Sequence, residues 1–448
     1  MKVQVFKIWN RVHSSFWFLP AVMAGGAMVL AFATIALDTR VTDWLTLNWG
    51  WTFTGGAEGS SSLLGAIVGS MITIAGVVFS MTLVALSLAS SQLGPRLLRN
   101  FMRDTKTQMV LGTFVATFLY CLLVLRTIRR ADEILFVPHL SIALGVLLAV
   151  ASVGVLIYFI HHVSVAIQAN EIVARVGKEL IAGIERLFPE STGQGAPRIP
   201  TEPPDAGFLD TFDREARPIG SAGDGYLQFV DGDALMTLAM QEDVVLRLVR
   251  RPGHYVIATR PLALVWPGNR VTDHLIDRVN AAFALGNQRT SGQDIEFAVN
   301  QIVEIAIRAL SLGVNDPFTA MTCVDHLGSA LSLLAGRDMP SPYRHDTQDR
   351  LRVITPVLRF PDVTDAAFNQ IRQYGRSSSA VTIRLLETIA AVGGSVHRPE
   401  DRAALLRHAK MIARGARGGL PEDEDRQEVE ERFQSANQLL SESPDSNF

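Results

Sequence analysis

Between Glu58 and Arg96 the chain holds neither a charged residue nor a histidine. That apolar run is long enough to cross a hydrocarbon core of about 30 Å as a helix, which takes roughly 20 residues. Where water is absent the backbone must satisfy its own polar groups, so a membrane-crossing helix is the structure such a run dictates. Three further stretches, residues 14–37, 107–125 and 134–160, are free of Asp, Glu, Lys and Arg, hold a single histidine, His139, and have the same capacity. The sequence predicts a mainly α polytopic membrane protein, with four transmembrane helices in residues 1–162 and a large water-soluble part behind them.

The 48% hydrophobic content of the 448 residues averages two unlike halves and disguises this division. A net charge of −3 leaves no broad basic field, which argues against nucleic acid as a partner. Cys121 and Cys323 are too few and too distant for a disulfide framework and suit a reducing compartment. Orientation follows from Lys and Arg near the span ends, because cytoplasmic loops collect them. Lys2, Lys7 and Arg11 precede the first span, and Arg96, Arg99, Arg103 and Lys106 follow the second. The loop between those spans has only Arg40 against Asp38, Asp43 and Glu58. The expected topology puts the N-terminus and residues 163–448 in the cytoplasm. Arg126, Arg129 and Arg130 then lie on the far side, partly offset by Asp132 and Glu133. Lys2 and Lys7 ahead of an apolar stretch ending in Ala31-Phe32-Ala33 also have the outline of a signal peptide, a reading that the length of the apolar run opposes.

Pro138 suits the first turn of the fourth helix. Ile172, Val176, Leu180, Ile184 and Leu187 then continue at helical spacing with charged residues on the other faces, so one long helix is expected to leave the bilayer as a stalk over residues 163–188. It should stop at Pro189, and residues 189–206, with Pro197, Pro200, Pro203 and Pro204, form a linker. Residues 207–268 read as a small β-rich module, with strands at 226–230, 244–249 and 255–259, a helix at 235–241 and a turn at Pro252-Gly253. Val256, Arg260-Pro261-Leu262 and Val265 resemble the spacing of barrel-sandwich domains, without the lysine that carries a prosthetic group there; a structural role is expected. Residues 269–440 are mostly helical, with helices near 271–285, 293–311, 317–335, 363–374, 379–392, 399–414 and 423–440. Gly313-Val314-Asn315-Asp316-Pro317 supplies a stop, a cap and a first-turn proline between two of them. Glu422 to Asp425 suits the positive end of the last helix dipole, and the polar tail 441–448 is expected to be disordered. Module and helical region together make a cytoplasmic α+β domain.

Four groups of residues carry a family resemblance: Ser90-Ser91-Gln92-Leu93-Gly94-Pro95-Arg96; Gly225-Tyr226-Leu227-Gln228; Arg289-Thr290 with Gln293-Asp294; and Arg308-Ala309-Leu310-Ser311 ahead of Gly313 and Asn315-Asp316-Pro317. The chain resembles the predicted bacterial membrane proteins grouped as domain of unknown function 2254. Leu312 and Val314 stand where that pattern has Pro and Ile, a departure that alters the turn only slightly. The resemblance implies a bacterial inner-membrane location and supplies no activity, cofactor or active site.

At 100° per residue, Ser62, Gly65, Gly69, Thr73, Gly76, Ser80, Ser87 and Ser91 fall within about 80° of one another around the second span. Leu83 and Val84 interrupt that small, hydroxyl-bearing stripe with bulk. Two explanations compete: close approach of neighbouring helices, or copies of the span around an axis, with the stripe facing water and Leu83 and Val84 forming a constriction that closes by dewetting. Gly94-Pro95 should break the helix at the membrane surface, and Arg96, Arg99 and Arg103 then share one face of a short helix. That face suits anionic lipid headgroups, or the basic mouth of an oligomeric pore.

Enzyme signatures are absent: the chain has no Walker-type phosphate loop, paired-histidine zinc helix, Cys-x-x-Cys pair or Gly-x-Ser-x-Gly elbow. His161-His162 reads as an interfacial pair with no Cys, Asp or Glu beside it in sequence. Cys323, Asp325 and His326 crowd one helix segment at no standard ligand spacing, and Asp231 and Asp233 around Gly232 read as a turn and helix start. No catalytic residue, metal or cofactor is expected. The sequence-based expectation is therefore a homo-oligomeric inner-membrane protein in contact with lipid, forming a gated, ion-channel-like pore under a cytoplasmic regulatory domain. Its rival is a non-conducting membrane scaffold or sensor whose soluble domain binds a partner or small ligand. A transporter ranks third, because the spans lack internal repeats and intramembrane charges.

Overall fold

The computed structural model describes residues 16–48, 56–93, 104–128, 136–189 and 204–441. Backbone contacts divide the chain after Gln168 into two units. The first contains α1 (Phe18–Asn48), α2 (Gly56–Leu93), α3 (Thr105–Thr127) and α4 (His139–Ala166). Each is long and apolar enough to cross a membrane, as is a fifth helix, Pro317–Ala335, in the second unit.

α3 is the helix around which the first unit packs; α1, α2 and α4 all lie against it. Its Phe114, Tyr120, Cys121 and Val124 are fully buried, joined by Leu64, Met71, Ala75 and Val78 from α2 and by Ile142 and Phe159 from α4. Two glycines permit the closest approaches. A Cβ on Gly112 would stand 2.5 Å from the Met23 sulfur, and one on Gly145 would stand 3.3 Å from both Cys121 Sγ and a Leu64 methyl. With no water to expel from between them, apolar helices in a bilayer gain from such packing and from hydrogen bonds across the contact. Tyr120 donates to the Ser141 carbonyl at 3.0 Å, and the Thr117 and Ser152 hydroxyls meet at 3.3 Å.

The second unit opens with α5 (Ala169–Leu187). Its apolar stripe is buried at Ile172, Val173, Val176, Leu180 and Ile184. The sequence predicts one helix running unbroken from the fourth span as a stalk. Instead α4 ends at Ala166, and α5 packs on α9 (Ile295–Ala309) and α10 (Pro317–Ala335), which explains why it carries an apolar stripe at all.

Between these helices lie α6 (Ala206–Glu215), β1 (Arg217–Gly220), β2 (Gly225–Val230), α7 (Gly232–Gln241), β3 (Val245–Leu248), β4 (Tyr255–Val256), β5 (Pro261–Trp266), α8 (Asp273–Ala281) and β6 (Phe283–Gly286). After α10 come β7 (Tyr343–His345), β8 (Leu351–Ile354), α11 (Phe360–Tyr374), α12 (Ser379–Gly393), α13 (Pro399–Gly419) and α14 (Asp423–Ser441). The strands form a five-stranded sheet, β1-β5-β3-β8-β7, and a three-stranded one, β4-β2-β6. All pairings are antiparallel except β3 with β8, where Leu246 faces Val353. The β-rich module expected within 207–268 therefore draws strands from beyond it: β6 takes the end of the predicted 271–285 helix, and β7 and β8 come from residues read as loop. Leu235, Leu246, Val265, Leu275 and Val353 share the core beneath these strands.

Candidate functional site

On α2, Gly69, Thr73, Gly76, Ser80, Leu83, Val84 and Ser87 are exposed and Gly65 is half-buried, while the buried face is Leu64, Met71, Ala75 and Val78. A Cβ added at Gly65, Gly69 or Gly76 would meet no atom within 4 Å. The stripe therefore does not serve close packing within one chain, which is the work of Gly112 and Gly145. The Thr73 hydroxyl donates to the Gly69 carbonyl at 2.9 Å, so it is satisfied without water. Ile72, Val77, Phe79 and Met81 are exposed on the same helix. Arg96, Arg99 and Arg103, with Gly94-Pro95, lie outside the described residues.

At one end of α3, Asp104 caps the helix, accepting from Lys106 N at 3.3 Å and from the Thr107 hydroxyl at 2.8 Å. His162 Nε2 donates to the same carboxylate at 2.6 Å, and the Tyr158 ring stacks on the imidazole. The structure thus brings an acidic partner to the His161-His162 pair that sequence proximity did not show. Asp104 and His162 lie on different helices, and no local pattern could have joined them. Cys323, Asp325 and His326 diverge: Cys323 is buried, Asp325 lies 3.6 Å from Arg384, and His326 faces the Gly177 backbone. Asp231 caps α7 by accepting from Ala234 N at 3.1 Å. Among the described residues no three His, Cys, Asp or Glu side chains converge on a metal position.

The feature that sequence reasoning missed is a cleft of about 570 Å³ within the second unit. Its apolar lining includes Leu187, Phe188, Leu235, Met236, Ile295, Val353 and Leu358. Arg250, Arg251 and Arg344 supply positive charge, and Asp233, in the first turn of α7, and Asp294 supply negative charge. Arg251 is committed elsewhere, donating to Glu296 at 2.6 Å and to His254 Nε2 at 3.0 Å. Burial, aided by Arg251, holds the His254 imidazole below its ordinary pKa. Arg250 and Arg344 have no acidic partner among the described residues. The arrangement offers a small amphipathic anion an apolar bed and two guanidinium groups suited to a carboxylate or sulfonate.

One wall of the cleft is built from residues that carried the family resemblance. Gln293 clamps the Val230 backbone through both amide atoms, at 2.9 and 3.1 Å. Thr290 donates to the Gln228 carbonyl, and Gln228 in turn donates to that of Gln288 at 2.7 Å. Asp294 caps α9 and receives two hydrogen bonds from Arg289, at 2.8 and 2.9 Å. Gly253, at φ +93°, gives Asp294 its space: a Cβ there would collide with the carboxylate at 2.2 Å. These distant segments meet as a support behind Gln293 and Asp294, both of which line the cleft.

The family model for domain of unknown function 2254, described as a predicted membrane protein, matches residues 13–391. An uncharacterized protein of Mycobacterium tuberculosis is 32% identical over 433 residues, covering 94% of this chain and 79% of that protein. An uncharacterized protein of Mycobacterium bovis matches with the same identity and coverage. No solved structure matches.

Proposed function

Because the chain belongs to the domain of unknown function 2254 family of predicted membrane proteins, we propose that it is a non-catalytic membrane sensor whose second unit binds a small apolar anion. The observation that carries this reading is the cleft, in which unpaired Arg250 and Arg344 stand over an apolar bed. Four helices, α1 to α4, cross the bacterial inner membrane in this reading. The fifth apolar helix, α10, stays outside it because α5, α9, α11 and α12 pack around it. The Lys and Arg distribution favours cytoplasmic N- and C-termini.

Calorimetry on the purified full chain in detergent tests the binding, with naphthalene-2-carboxylate as probe and 2-naphthalenemethanol as its neutral counterpart. The carboxylate should bind more tightly than the alcohol, and Arg250→Ala or Arg344→Ala should remove that preference by about tenfold, as loss of a charge-assisted hydrogen bond of ~1.5 kcal/mol requires. Equal affinities for the two probes would refute the site.

The outward stripe of α2 supports a second reading, a homo-oligomer whose second spans surround an ion-conducting axis constricted at Leu83 and Val84. It ranks lower because Thr73 needs no water and because bulky apolar side chains share the exposed surface. Leu83→Ser and Val84→Ser should raise conductance in planar bilayers if that face lines water. Intact oligomers that pass no current in either form would remove this reading.

A further inference from the structure

The exposed face of α13 carries a row of four cations, Arg407, Lys410, Arg414 and Arg417, at spacings of three, four and three residues. Those spacings bring each member next to the following one along one side of the helix, where like charges repel. The row borders a groove of about 520 Å³ between α13 and α14, whose apolar surface comes from Ala403, Leu406 and Ala413 on α13 and from Phe433 on α14. No residue of this groove lines the cleft described above.

The ends of the row are paired and its middle is not. Arg407 donates to Asp365 of α11 at 2.5 Å, a carboxylate shared with His408, and Arg417 donates to Glu430 of α14 at 2.8 Å. Lys410 and Arg414 have no acidic partner among the described residues. Four cations thus face two carboxylates, and the surplus is two positive charges about one helical turn apart.

The acidic run Glu422–Asp425 does not cancel this surplus. Its residues follow α13 past Gly419 and do not line the groove. Lys410 precedes Gly419 by about 13 Å of helix, farther than the screening length of about 8 Å at physiological salt. Arg417, the member of the row nearest that run along the chain, is the one Glu430 already holds.

We propose that the groove binds a phosphate monoester, with Lys410 and Arg414 on the phosphate and the organic part against Ala413 and Phe433. The phosphate dianion matches the surplus charge, ammonium and guanidinium groups are the donors that hold phosphate, and Phe433 offers a ring to an aromatic substituent. An anion between Lys410 and Arg414 also removes their mutual repulsion, so α13 itself gains from an occupant. Soluble nucleotides and the headgroup of phosphatidic acid both carry this group.

Calorimetry on the purified full chain in non-ionic detergent tests the site, with adenosine 5′-monophosphate as probe and adenosine as its neutral counterpart. The monophosphate should bind more tightly than adenosine, and Lys410→Ala or Arg414→Ala should each weaken it by about tenfold, as loss of one charge-assisted hydrogen bond requires. Both positions are exposed, so the variants keep their fold. Phe433→Ala should weaken the monophosphate several-fold, and Arg260→Ala, which removes an exposed arginine of the β-rich module, should leave it unchanged. Dioctanoyl phosphatidic acid separates the two sources: tighter binding than the monophosphate assigns the groove to lipid phosphate, weaker binding assigns it to a soluble ester, and Lys410→Ala should impair either. Three results would overturn the proposal: equal affinity for the monophosphate and adenosine; equal losses from Arg260→Ala and Lys410→Ala, which would mean that phosphate samples positive charge in general; and loss with Arg250→Ala but not with Lys410→Ala, which would place the probe in the cleft.

Discussion

The Asp38 carboxylate, on α1, caps the first turn of α4 through Ser141: one oxygen accepts from Ser141 N at 2.9 Å and from its hydroxyl at 2.5 Å, and the other accepts from Leu140 N at 2.9 Å. Asp38 is 1% exposed. An anion at a helix N-terminus meets unsatisfied N–H groups and the positive end of the dipole, so this buried carboxylate joins two spans far apart in sequence. Asp38→Ala should destabilise the first unit by about 2 kcal/mol, and Asp38→Asn by less, because the amide oxygen still accepts. Thermal unfolding in detergent, followed by circular dichroism, measures the order of the three proteins.

Gly177 sets how closely α5 lies on α10: a Cβ there would stand 2.7 Å from His326 Nδ1. Gly177→Ala should cost about 1–3 kcal/mol through overpacking, and adding His326→Ala should return part of that loss. Urea unfolding of the two single variants and the double variant reads the coupling directly. Additive losses would show that the imidazole is not the obstacle.

His408 is fully buried, with Nε2 donating to Asp365 at 2.7 Å and Nδ1 without a partner. Burial pushes its pKa down, the Asp365 hydrogen bond opposes this, and Arg407 and Arg372 add to the depression. Protonation would also create an unpaired buried N–H. The neutral form is the one the fold favours. Its contribution to stability is complete above the ordinary imidazole pKa of about 6.5 and is lost as pH falls through the lowered folded value. Stability to urea should therefore decline from pH 7.5 to pH 5, and His408→Gln should flatten that slope even if it is less stable throughout. An unchanged slope would assign the acid sensitivity to other groups.

Gly69→Leu and Gly76→Leu meet empty space in a single chain, so neither should lower the stability of the monomer by more than ~0.5 kcal/mol. Any larger effect must come from association of α2 with another copy. Size measurement in mild detergent distinguishes the cases: loss of an oligomer identifies the stripe as a contact, and an unchanged size assigns it to lipid.

The helical pattern is legible where an apolar stripe and end signals agree. The expected 317–335 helix is α10, bounded by Asp316 as cap and Pro317 in its first turn, and 379–392 is α12 to within a residue. The break at Ile167 and Gln168 between α4 and α5 is invisible in the periodicity because neither glycine nor proline marks it. β6 was taken for helix because Ala281, Ala282, Phe283 and Leu285 extend the apolar pattern of α8. β7 and β8, at three and four residues, are too short for a period to show, and β8 gains its place from a partner in the distant β3. The cleft was illegible for the same reason. Arg250 and Arg344 are ordinary arginines in sequence, and only the pairing of distant strands puts them over one apolar bed.

The parallel pairing of β3 with β8 also fixes a timetable. Leu246 and Arg247 wait for Val353 and Ile354, and the place between β3 and β7 cannot be filled until those residues have left the ribosome. At roughly 5–20 residues per second, the intervening stretch of about 100 residues takes some 5–20 s to synthesise. The membrane helices are made well before then, so a nascent chain already held in the bilayer displays the unpaired edge of β3 for that interval. The aggregation hazard of this protein therefore belongs to its biosynthesis, when neighbouring ribosomes on one message present the same open edge side by side.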